Sequence, residues 1–148
     1  MSKKIIIGFD FGIKNIGVAI GQLITGTAHP VSPLKAINGI PDRRQIEQLI
    51  KEWQPSLIVV GLPLNMDGTE QYFTSHAKNF ANYLNKKFDI SIFMQDERLS
   101  TKEARSELFR NGGYRSLLKK SIDSKSAAII LQDWLSVNFL KTEDHVLK

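Results

Sequence analysis

Ile5 to Phe9 is a nearly unbroken apolar run, IIIGF, the pattern of a strand covered on both faces. A turn containing Gly12 follows, and Ile16 to Ile20 is apolar again, so the two runs predict a hairpin. A third extended stretch is expected from about Gly26 to Ile37, with Pro30 and Pro33 confining it to an edge or interrupting it. Pro41-Asp42 then opens a helix, with Asp42 as N-cap, Gln45 three residues on, and Ile46, Leu49, Ile50 and Trp53 on one stripe that Pro55 closes. Leu57 to Val60 predicts a short buried strand ending in Gly61, and the loop after it carries the turn pair Asp67-Gly68. Phe73, Ala77, Phe80, Ala81 and Leu84 mark the next helix, and Ile90 to Gln95 the next strand. Ser100 to Glu103 is a capping box for a helix ending near Gly112-Gly113; a mobile basic loop, Ser116 to Ser121, and a last helix from about Ile122 to Leu140 complete the order. Antiparallel strands followed by helix–strand alternation imply an α/β fold: a mixed central sheet, three antiparallel strands then parallel ones, flanked by helices.

Composition narrows this. A chain of 148 residues, 42% hydrophobic, suits one globular domain spanning 1–148, burying about 68–70% of its unfolded surface. No stretch approaches the roughly 18 apolar residues of a membrane helix, and no small-residue cleavage site follows the first apolar run, so a cytoplasmic protein without membrane contact is expected. With no cysteine, disulfides, thiol nucleophiles and Cys-based zinc sites are excluded. His29, His76 and His145 show no ligand spacing and read as ordinary polar residues. The net charge is +5, and all of that excess falls between Arg98 and Lys125, where eight basic residues face three acids. Such a strip favours a polyanion, because each neutralised phosphate releases counterions; the competing explanation is a solvated helix face.

Three acids lie at element boundaries: Asp10 ending the first strand, Glu97 after the last, and Asp123 opening the last helix. Asp123 shares a helix face with Ala127, Ile130 and Trp134, and the small Ala127 and Ala128 would let that helix approach the sheet closely. One sheet can bring three such carboxylates together, and their mutual repulsion calls for a divalent cation. Oxygen donors without His or Cys point to Mg²⁺ or Mn²⁺. One such ion, or a pair about 4 Å apart, suits phosphodiester hydrolysis. Simpler roles compete: Asp123 facing the positive end of its helix, and Asp96 or Glu97 paired with Arg98 at the surface. Asp96 also rivals Glu97, since strand neighbours face opposite sides. Lys14, Asn65, Asp67 and Arg98 are further candidates for substrate contact, although turn chemistry explains them as well.

The segments GFDFGIKNIGVAI, IVVGLPLNMDGTE, DERLSTKEA and IDSKSAAIILQDWL together resemble the YqgF, or RuvX-like, family of RNase H-like proteins, over about Ile5 to Leu140. The resemblance implies an RNase H-like fold and Mg²⁺-dependent nuclease activity, either in 5′-end maturation of pre-16S ribosomal RNA or in resolving Holliday junctions. It also implies catalytic and metal-binding roles for Asp10, Glu97 and Asp123, and so selects Glu97 over Asp96. Lys14, Asn65, Arg98, Arg115, Lys119, Lys120 and Lys125 are the residues expected to hold the nucleic acid. Lys125 stands where a small or neutral residue is expected in the family's motif, adding charge beside the site.

Two other functions compete with this one. Asp10-Phe11-Gly12 with Gly17 looks like the first phosphate loop of actin-like ATPases, but those need a second domain and a second loop, for which this chain has no room. A ribosome-biogenesis protein that binds RNA with idle acids is the rival from another class. A monomer or weak homodimer suits the trimming of RNA, whereas a junction favours a two-fold dimer.

Overall fold

The computed structural model describes residues 4–12, 14–38, 40–97 and 122–146, with side chains in the last stretch described for 124–138 only. In chain order the elements are β1 (Ile5–Asp10), β2 (Asn15–Gln22), β3 (Thr27–Ile37), β4 (Ile40–Pro41), α1 (Arg43–Trp53), β5 (Leu57–Leu62), α2 (Tyr72–Phe88), β6 (Ser91–Asp96) and α3 (Ile122–Val146). One sheet runs β4-β3-β2-β1-β5-β6, antiparallel from β4 to β1 and parallel from β1 to β6. The expected mixed sheet is therefore present. The helix expected after Ser100 and the basic loop 116–121 lie outside the described residues.

Local chemistry explains most boundaries. Asp42 caps α1, its Oδ1 accepting from the Arg44 N–H at 2.9 Å. Gln45, expected to complete a capping box, instead accepts from the Lys35 N–H at 3.3 Å and ties α1 to β3. The helix stops at Gln54, in the left-handed region at φ 45°, before Pro55. Pro33 falls where the β2–β3 register slips by one between Val31 and Leu34, an irregularity that tolerates a missing N–H. The short β4 was not expected; it pairs only with Ala36 and Ile37. Nothing in KTEDHV breaks a helix, so α3 continues past Leu140 to Val146.

The sheet is buried on both faces. On one, Ile7, Phe9, Ile58 and Val60 pack against Ile46 of α1 and Phe80, Ala81 and Leu84 of α2. On the other, Ile6, Ala19 and Val59 pack against Ala127, Ala128, Ile130, Leu131, Trp134 and Leu135 of α3. The stripe Ala127, Ile130 and Trp134 faces the core as its spacing predicted. Glycines on the sheet allow α3 to sit close: a Cβ at Gly8 would lie 2.8 Å from Leu131 Cβ and 3.4 Å from the Ala127 carbonyl. Gln132 fixes the other end of the contact, accepting from the Ala28 N–H at 3.2 Å and donating to the Gly26 carbonyl at 2.7 Å.

Candidate active site

Strand alternation decides which acids face α3. In β1, Ile7 and Phe9 belong to the α1/α2 face, whereas Ile6 and Gly8 lie under α3. Asp10, two residues beyond Gly8, continues the α3 side at the strand's C-terminal end, half-buried and opposite Gly17 of β2. In β6, Ile92 and Met94 pack toward α1 and α2, and Phe93 meets Trp134 of α3 with ring centroids 5.8 Å apart. Asp96 follows Ile92 and Met94 in parity and Glu97 follows Phe93. Glu97, the residue after β6, thus lies on the α3 side and Asp96 on the other.

A direct contact supports that placement. A Cβ on Gly61 would come within 3.3 Å of both Cγ and Cδ of Glu97, and within 2.7 Å of Ile130 Cδ1. Glu97 therefore folds back over Gly61 in β5. The β1–β5 register pairs Phe9 with Val60, so the next positions, Asp10 and Gly61, are neighbours across the parallel ladder. Asp10 and Glu97 flank a spot where β5 carries no side chain. The side chains of Ile130 and Glu97 cover that spot, and carboxylate oxygens are the donors a hard divalent cation takes.

The N-terminal turn of α3 is pinned beside the same spot. At the β2–β3 register slip, the buried Val18 N–H donates to the buried Ser124 Oγ at 3.3 Å. Val18 pairs with Phe9 in β1, one residue from Asp10, so the hydrogen bond docks the start of α3 at the Asp10 end of the sheet. Residue 123 is the neighbour of Ser124 and the second residue of α3; its carboxylate lies outside the described side chains. Among the described residues, no three His, Cys, Asp or Glu form a metal-binding group. Ser124→Ala would strand a buried amide and should cost about 1–3 kcal/mol, seen as a lower urea midpoint at unchanged m-value.

The other site residues divide. Lys14 is exposed in the β1–β2 turn, which is held by the Ala36 N–H donating to the Lys14 carbonyl at 2.8 Å. Asn65 donates through Nδ2 to Thr69 Oγ1 at 3.0 Å and Asp67 accepts from the Thr69 N–H at 3.0 Å, so both build the Gly68 turn. Lys125, counted in the basic strip, is only 7% exposed and lies within the packing of α3 rather than on an open surface. Arg98, Arg115, Lys119 and Lys120 lie outside the described residues. Sequence reasoning missed Gly8, Gly61 and Ser124 as parts of the site's frame. A glycine interrupting an apolar strand, as in IVVGL, is the signal that could have found Gly61.

The family model for RuvX, described as a Holliday junction resolvase, matches residues 4–137. The chain belongs to the RuvX family. It is 62% identical over 134 residues to a Proteus mirabilis protein named "Putative pre-16S rRNA nuclease", covering 90% of this chain and 96% of that one. A Yersinia pseudotuberculosis protein of the same name is 60% identical with the same coverage. Among solved structures, Thermus thermophilus RuvC in complex with a Holliday junction substrate aligns at TM-score 0.57 and 13% identity, covering 88% of this chain and 92% of that one. The fowlpox virus Holliday junction resolvase aligns at TM-score 0.55 and 15% identity, covering 90% and 99%. This RuvX chain therefore shares the fold of RuvC-like resolvases. Among its described residues, no helix is long and apolar enough to cross a membrane.

Proposed function

We propose that this protein is a metal-dependent nuclease that hydrolyses phosphodiester bonds in the 5′-end maturation of pre-16S ribosomal RNA in the cytoplasm. The observation that supports the reading is that Glu97 packs against side-chain-free Gly61, the strand position beside Asp10, on the face covered by α3, which begins with Ile122 and Asp123. Asp10, Glu97 and Asp123 would hold Mg²⁺ or Mn²⁺ through oxygen atoms. Bound there, the ion would supply charge stabilisation at the leaving oxygen and a more acidic attacking water. The protein's own part is to hold three carboxylates on one sheet edge and to grip the backbone on either side. Lys14, Arg98, Arg115, Lys119 and Lys120 are suited to phosphate contact, and Lys125 adds positive charge beside the acids. Relatives named for pre-16S rRNA support the RNA substrate. The description of the RuvX family favours a second reading, cleavage of four-way DNA junctions.

A side-by-side assay separates them: a pre-16S rRNA fragment and a synthetic four-way junction, each with Mg²⁺ and with chelator. The expected result is Mg²⁺-dependent cleavage of the RNA near the mature 5′ end and an intact junction, by a protein whose mass in solution is that of a monomer or weak dimer. Cleavage of the junction alone would replace the RNA assignment with resolution. Binding of RNA without cleavage of either would leave a binding protein with idle acids. Lys119→Ala/Lys120→Ala should weaken RNA binding across sequences and reduce the slope of log K against log salt by about 0.7 for each phosphate no longer neutralised; an unaltered slope removes that pair from the binding surface.

A further inference from the structure

Phe11, the residue after Asp10, points to the opposite side of the sheet. Its ring meets His76 edge-on at 5.9 Å and lies 6.1 Å from Phe80, both in α2. Together with Tyr83 these rings line a cleft of about 280 Å³ whose mouth carries the exposed side chains of Asn38, Arg43 and Asn79. Pockets for small ligands run to about 300–1,000 Å³, so this one has room for a single planar ring system and little more. Arg43 sits over the Tyr83 ring, 5.8 Å from its centroid. The Tyr83 hydroxyl is buried and has no hydrogen-bond partner among the described residues. No described residue lining the cleft is acidic.

We propose that this cleft binds the base of an unpaired nucleotide in the substrate strand, an inference that rests on the nuclease reading above. Aromatic walls offer a stacking surface for a base, two carboxamides can each donate and accept along its edge, and a guanidinium suits the adjoining phosphate. Position supports the idea as much as chemistry does. Asp10 and Phe11 are consecutive, and the exposed Lys14 follows in the same turn, so a strand crossing this sheet edge would place a phosphodiester at the acids and a neighbouring base in the cleft. A fully paired helix has no free base to offer, which makes the cleft a device for selecting single-stranded segments.

The test measures binding in an Asp10→Asn background, so that cleavage plays no part. A 12-nucleotide single-stranded RNA and the same sequence as a duplex are titrated with this protein and with versions also carrying Asn79→Ala, His76→Ala or Tyr83→Phe. An abasic residue is moved through the RNA in parallel. The single strand should bind more tightly than the duplex, and Asn79→Ala or His76→Ala should weaken it by about 5- to 100-fold, the range of one stacked base. One abasic position should reproduce that loss and show no further loss when combined with Asn79→Ala, the mark of a shared contact. Asn79 is exposed, so its loss does not depend on refolding of the core, and Tyr83→Phe, which keeps the ring and removes only a buried hydroxyl, should bind as the parent protein does. Equal binding of duplex and single strand, or additive losses at every abasic position, overturns the cleft as a base site. Either result leaves Mg²⁺-dependent cleavage untouched, so the failure of the cleft and the failure of the nuclease reading are separately visible.

Discussion

Asp10→Asn should cleave RNA at least about a hundredfold more slowly than wild type under single-turnover conditions with Mg²⁺. Mutations of groups that merely orient metal ligands already cost about 10–100-fold, and losing a carboxylate ligand outright should cost more. Thermal stability with and without the ion separates loss of metal binding from loss of the fold. Mg²⁺ at a hundred times its dissociation constant should stabilise wild type by about 2.7 kcal/mol and Asp10→Asn far less. The pleat sharpens the prediction. Glu97→Gln should behave like Asp10→Asn, whereas Asp96→Asn, on the parity of Ile92 and Met94, should retain cleavage within a few-fold. Equal cleavage by purified wild type and Asp10→Asn would remove the site from this sheet edge; loss of activity in Asp96→Asn alone would move it to the other face.

The sheet was legible because its strands carry their burial in the sequence. IIIGF and LIVV are apolar on both sides, and α3 announces its stripe at Ala127, Ile130 and Trp134. The contributions of Gly8 and Gly61 were not legible, since a glycine in a strand reads locally as a weakness and gains its meaning only from the helix packed above it. Ser124 is a similar case. A buried serine on an apolar helix face has value only because a slip in the register of two distant strands sends the Val18 amide toward it. The choice between Asp96 and Glu97 needed either the family resemblance or the observed parity, because adjacent acids at a strand end have no local property that ranks them. Gln45 shows the opposite error: the spacing of a capping box was present, but β3 offered its side chain a better donor.

Two glycine substitutions should separate the frame of the site from its chemistry. Gly8→Ala puts a methyl 2.8 Å from Leu131 Cβ, an atom held by the helix backbone that cannot swing aside. The helix must lift from β1, and overpacking of that kind costs about 1–3 kcal/mol, or roughly 3–10 °C in melting temperature for a chain of this size. Cleavage at a temperature where the variant is folded should fall as well, because Ser124 and the start of α3 move with the helix. Gly61→Ala meets softer neighbours: the tip of Ile130 at 2.7 Å and the Glu97 side chain at 3.3 Å. Ile130 can rotate, so stability should change less than in Gly8→Ala. Glu97, a metal ligand in the proposed function, would however be displaced from its place against Gly61, and a ligand shifted by a few tenths of an ångström loses metal affinity before the fold notices. The expected signature is a Gly61→Ala protein that melts close to wild type yet needs more Mg²⁺ for half-maximal cleavage. If Gly61→Ala instead kept the wild-type Mg²⁺ requirement, the seating of Glu97 against Gly61 would have no part in holding the ion.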